Sequence, residues 1–229
     1  MKAKETNVEM IIKTCLMKKA LRSILLFLLL AGSIIHPSSA QTAKNIFDAA
    51  TPVTYLGVDF TLAKVIGESG SATDIRDRQF PAINNVVVAE PAKYDIAEAL
   101  RRSAITSDLD QVNARNRTIS VQQIKSEIPG DFMHLTASEI DKLVGTYDFS
   151  GKTGIGVLFV VEGMSKSEKA ANIFVTFINM SNKRVLLTER VTGKAGGFGF
   201  RNYWAKPVEE VLKKIKNSKY NEWKKKYAA

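Results

Sequence analysis

Eight consecutive residues, Gly154-Ile-Gly-Val-Leu-Phe-Val-Val161, carry no polar side chain. The run is far too short to span a membrane and is dominated by residues that favour extended backbone. An extended segment sends alternate side chains to opposite faces. The chain must therefore supply apolar cover for both faces, either from two layers or from a helix and a partner. Two more strand-like segments follow, at 172–179 (NIFVTFIN) and 183–191 (KRVLLTERV). Met180-Ser181-Asn182 between them is short enough for a hairpin turn. With 229 residues, 45% apolar and 24% charged, the chain has ordinary globular composition. That excludes a disordered, collagenous or disulfide-stapled chain.

Upstream, residues 53–66 (VTYLGVDFTLAKVI) read as a first strand, and 67–77 as a polar turn. Residues 81–90 read as a helix, with Pro81 suited to its first turn and Pro91 breaking it. Helical spacing resumes over 94–102 through Ile96, Ala97 and Leu100, and a short helix fits 119–128. Thr136-Ala-Ser-Glu139 is a capping-box pattern, followed by Ile140, Leu143 and Val144 at helical spacing, so a helix is expected over 137–147. A glycine-rich loop spans 193–199. Pro207 then opens a helix whose stripe is Val208, Val211, Leu212 and Ile215. Glu209 and Glu210 near its start and the lysines near its end match the helix dipole. No repeat or low-complexity linker interrupts the chain. The reading is a single α+β domain over 41–229, a layered domain with a mixed or antiparallel sheet of about four strands packed against helices.

The first forty residues read as a leader rather than as fold. Lys18, Lys19 and Arg22 precede an apolar stretch from Ile24 to Ile35, and Ser38-Ser39-Ala40 follows it. That order of positive, apolar and small is a secretory signal peptide, with cleavage expected between Ala40 and Gln41 and Met17 as the expected start. The mature chain is then expected in the periplasm or outside the cell, with no transmembrane segment. No cysteine follows the apolar stretch, so a lipid anchor is not supported. Cys15, the only cysteine, leaves with the leader, which removes thiol catalysis, thiolate metal sites and redox work. Six Lys/Arg and two Asp/Glu also leave, so 27 basic and 21 acidic residues remain. Residues 206–229 alone hold eight Lys and three Glu, and the body is close to neutral. The basic character belongs to one terminal helix, which argues against a nucleic-acid partner.

The chemistry-bearing residues are few. His134 is the only histidine after the leader, with no G-x-S-x-G motif elsewhere. No cofactor motif and no metal-ligand set is present, so no cofactor and no metal are expected. The glycine loop runs into Arg201-Asn202-Tyr203-Trp204. It matches neither a P-loop nor a dinucleotide fingerprint. One reading is backbone N–H groups and Arg201 presented to a ligand. The other is a tight connection while Phe198, Phe200, Tyr203 and Trp204 pack. Arg201, Asn202, Tyr203 and Trp204 are the candidate binding residues. Asp59 and Glu162, both at or near strand ends, are the only plausible acid/base pair. The lysine-rich tail, with Tyr220, Trp223 and Tyr227 among its charges, suits an anionic surface.

The stretches Tyr55-Leu-Gly-Val-Asp59-Phe, Ile83-Asn84-Asn85, Lys93-Tyr94-Asp95 and Gly196-Gly-Phe-Gly-Phe-Arg-Asn-Tyr-Trp204 resemble an uncharacterised family of secreted proteins from Bacteroidetes-type bacteria. That family brings no assigned activity. The element order over 154–215 is similar to the periplasmic α/β domains of curli-secretion-type and TolB amino-terminal-type proteins. The similarity implies an interaction or assembly role. The expected function is therefore a non-catalytic envelope binding domain whose partner is an envelope protein or an anionic surface. The alternatives are a carboxylate-dependent hydrolase of envelope glycan or peptide, and a membrane-surface protein bound through its C-terminal helix.

Overall fold

The computed structural model describes residues 42–149 and 151–228, so the leader expected over 1–40 lies outside the described residues. The strands are β1 (Val53–Asp59), β2 (Lys64–Ile66), β3 (Thr106–Ser107), β4 (Lys125–Ser126), β5 (Ile155–Ser165), β6 (Ala170–Asn179) and β7 (Arg184–Lys194). The helices are α1 (72–89), α2 (Ile96–Ala99), α3 (Asp110–Arg117), α4 (Ala137–Gly145) and α5 (200–227). Helices α1 and α5 each contain a π-helical turn, at Ile75–Gln79 and Ile215–Lys219.

Strand β5 is central, as its sequence demands. Every one of its residues is buried. Ile155, Val157, Phe159 and Val161 join one apolar cluster, with α1 and α5. Leu158 and Val160 join another, with α4 and Val112 of α3. Each such side chain contributes roughly 1.5–3 kcal/mol by leaving water. On one edge β5 pairs antiparallel with β6 along its whole length, and β6 pairs antiparallel with β7. Its other edge pairs parallel with β1 over 155–160 and with β2 over 163–165. Strands β1 and β2 are thus two pieces of one ribbon, broken by a turn in which Ala63 N–H donates to the Phe60 carbonyl. Strands β3 and β4 add outside them, also parallel.

The expected mixed or antiparallel sheet of about four strands is therefore wrong. The sheet has seven strands, five of them parallel and curled into a half-barrel, and the class is α/β. Two physical reasons explain the miss. Strands β3 and β4 are two residues long and polar, so they show no periodicity; they are strands only because β1 and β2 offer them an unpaired edge. The parallel pairing of β1 with β5 is set by the helical crossover between them, which local patterning does not encode.

Side chains finish the outer edge of β1, where a fully paired third strand is lacking. Val58 N–H donates to Asn84 Oδ1 at 2.7 Å, and the Val58 carbonyl accepts from Asn84 Nδ2 and Asn116 Nδ2. Phe60 N–H donates to Asn116 Oδ1 at 2.8 Å. Gly57, with φ at +101°, lets α3 approach this edge; a Cβ there would meet Val112 Cγ1 at 2.6 Å.

The capping box at Thr136 and Glu139 forms as expected and starts α4 at Ala137. Other boundaries moved. The helix expected from Pro81 begins at Ala72, and the π turn widens it just ahead of the proline. The short helix expected over 119–128 is instead a 3-10 turn and β4. The helix expected from Pro207 begins at Phe200 and carries that proline inside it.

Candidate functional site

Pro207 explains the glycine loop. A proline inside a helix leaves the carbonyl four residues earlier without its donor. Here that carbonyl belongs to Tyr203, and Gly196 N–H donates to it at 3.2 Å. Ala195 N–H is held by the Lys169 carbonyl at 2.7 Å. Gly193 lies against the proline backbone, where a Cβ would sit 2.7 Å from Pro207 Cα. The base of the loop is thus locked to the helix it precedes. Its tip is not: Phe198, between Gly197 and Gly199, is 95% exposed.

The four candidate residues separate. Trp204 is buried in the core, and its Nε1–H donates to Glu68 at 3.3 Å. Tyr203 is half-buried and stands edge-on to Trp204, with Lys166 Nζ 3.9 Å above its ring. Lys166 in turn pairs with Glu68 at 3.4 Å. Tyr203 and Trp204 therefore fasten the helix start to the loop after β2. Arg201 and Asn202 are exposed, joined by Arg201 Nε donating to Asn202 Oδ1 at 3.1 Å. They line a depression of about 360 Å³ together with Phe198, Phe200, and Arg78 and Gln79 from the π turn of α1. Arg78 carries no local signal that would join it to this loop. Of the two readings of the loop, packing holds for Trp204 but not for Phe198; an aromatic flanked by two glycines is the signal that it stands apart.

Asp59 and Glu162 project to the α4 face of the sheet, and both are fully buried. Asp59 accepts from Tyr147 Oη at 2.5 Å, from Thr61 N–H at 2.6 Å and from the Thr61 hydroxyl. Burial, and then the Asp59 charge, hold the Tyr147 phenol far above its ordinary value, so it remains a donor. Glu162 accepts from Leu135 N–H at 2.6 Å and from Arg190 Nε and Nη2 at 2.6 and 2.9 Å. Arg190 Nη2 also donates to the Leu135 carbonyl. Each carboxylate fastens a loop or helix to the sheet.

His134 Nδ1 lies 2.7 Å from the Asp131 carbonyl, within a compact turn. Among the described residues, no group of three or more His, Cys, Asp or Glu is placed to hold a metal ion. In the terminal helix, Tyr220 and Trp223 face the core. Lys213, Lys216 and Lys219 pair with carboxylates and Lys214 donates to the Thr192 carbonyl at 2.7 Å, which leaves Lys224, Lys225 and Lys226 exposed with neither kind of partner among the described residues. Among the described residues, no helix is long and apolar enough to cross a membrane. Compared with protein-family models, curated proteins and solved structures, the chain matches none.

Proposed function

We propose that the protein is a non-catalytic binding domain of the cell envelope, and that it grips a partner protein at the rim formed by Phe198, Arg201, Asn202 and Arg78. The observation that carries this reading is Phe198, 95% exposed on a loop whose base is locked. Burying such a ring against a partner contributes roughly 1.5–3 kcal/mol. Aromatic and arginine side chains are also the residues that most often dominate protein interfaces. The rim commits the partner's chemistry: an apolar group to cover Phe198, beside a carboxylate to meet Arg201. Two further facts support the reading over its alternatives. Asp59 and Glu162 are buried and engaged, and the aromatic residues Tyr220 and Trp223 of the terminal helix face inward rather than toward a surface.

The test is capture from the native envelope by tagged wild-type protein and by the double variant Phe198→Ser/Arg201→Glu. Both positions are exposed, so the variant keeps its fold. The expected result is one reproducible partner held by the wild type and lost by the variant. Equal capture by both proteins overturns the reading.

A further inference from the structure

On the opposite face of the sheet from this rim, a pocket of about 330 Å³ opens between α3, α4 and the turn that separates β1 from β2. Its volume lies at the lower end of small-ligand sites. Leu62, Leu135 and Leu143 give it an apolar wall. Arg115 and Lys142 are its cations, and Glu139 is its acid.

The acids at this site are already satisfied. Glu139 closes the cap of α4, accepting from Thr136 N–H and Oγ1 at 2.7 and 2.8 Å. Asp59, behind Arg115, takes its three donors from Tyr147 and Thr61. The cations keep donors free. Arg115 stacks on the Tyr147 ring at 4.4 Å and its buried Nε forms an ion pair with Asp59 at 3.6 Å, beyond hydrogen-bond length, while its Nη2 has no hydrogen bond among the described residues. Among the described residues its one hydrogen bond is a long one, from Nη1 to the Thr146 carbonyl at 3.4 Å. Lys142 forms no ion pair among the described residues and stands exposed at the mouth.

An apolar wall ending at a guanidinium with spare donors matches one ligand chemistry. We propose that this pocket binds a free medium-chain carboxylate, its tail against the three leucines and its head on Arg115 and Lys142. The apolar wall seats the tail, and the charge-assisted hydrogen bonds to Arg115 supply selectivity for an anion. The occupant is a single chain, because the space is too small for a two-tailed lipid.

The experiment titrates the protein with sodium octanoate, 1-octanol and acetate, and follows leucine methyl resonances. Octanoate is expected to shift the methyls of Leu62, Leu135 and Leu143, with 1-octanol binding about tenfold more weakly and acetate leaving the leucines unmoved. Arg115→Gln is expected to abolish the preference for octanoate over octanol. Because Arg115 also contacts Asp59 and Tyr147, a second variant guards against misfolding: Thr146→Trp fills the mouth from an exposed position and is expected to abolish binding of both. Octanol binding as tightly as octanoate, octanoate binding that survives Thr146→Trp, or methyls that octanoate does not move would each overturn the proposal.

Discussion

The ion pair between Glu162 and Arg190 makes the sharpest stability prediction. Glu162 has 0% side-chain exposure and Arg190 has 29%. The two partners are therefore unequal when one is removed. Arg190→Met leaves a carboxylate that cannot reach water, with Leu135 N–H as its remaining donor. Breaking a buried pair from this side is expected to cost about 4 kcal/mol. Glu162→Leu leaves a guanidinium that is already partly solvated and able to turn outward. Its cost is about 3 kcal/mol, much of it from the orphaned Leu135 N–H. In the double variant no charge is left unpaired, and what remains is the Leu135 peptide, which loses both side-chain partners. That residue stability loss is about 4 kcal/mol, so the coupling between the two positions is about 3 kcal/mol. Urea unfolding of the three variants measures all these quantities, with the slope checked for constancy. Additive single losses would refute the reasoning. So would a Glu162→Leu variant more stable than wild type, the signature of a carboxylate buried at a cost for catalysis.

Three other outcomes follow from the same geometry. Gly193→Ala forces a Cβ into the Pro207 backbone and is expected to lower stability by about 2 kcal/mol, read as a fall in unfolding temperature. Phe198→Ser is expected to change stability by less than about 0.5 kcal/mol, whereas Trp204→Ala costs about 3–5 kcal/mol, because one ring is in water and the other in the core. Burial holds the Tyr55 and Tyr147 phenols well above their ordinary value. Above about pH 10 the unfolded chain releases these two protons and the folded chain keeps them, so stability falls as pH rises, by about 1.4 kcal/mol per unit for each phenol. Phenolate absorbance checks this: both tyrosines stay silent until the protein unfolds, and Tyr147→Phe halves their share of the pH slope.

The legible parts of the fold were those whose signal is local. The apolar run at 154–161 demanded burial on both faces, and β5 is buried on both. Thr136 and Glu139 announced the start of α4. What stayed hidden depends on distant partners. Strands β3 and β4 exist because another edge accepts them. Asn84 looks like an ordinary helix residue, and the stretch around Asn116 shows no clear pattern, until both meet the Val58 peptide. Pro207 looked like a helix start because its missing donor is replaced by Gly196, eleven positions earlier in the chain and brought close by the turn after β7. The candidate site was half legible for the same reason. Arg201 and Asn202 lie on the rim, but helix geometry turns Trp204 inward, and Arg78 joins from a helix more than a hundred residues away.

The central claim is that the rim at Phe198 is a protein-binding surface, and site-specific cross-linking tests it most directly. A photo-reactive amino acid is placed at position 198 in one protein and at 183, in the exposed turn between β6 and β7, in another. Both are irradiated in the native envelope. The account predicts one discrete protein adduct from 198, absent from 183 and lost when Arg201→Glu is added. The same adducts from both positions, or none from 198, would contradict it.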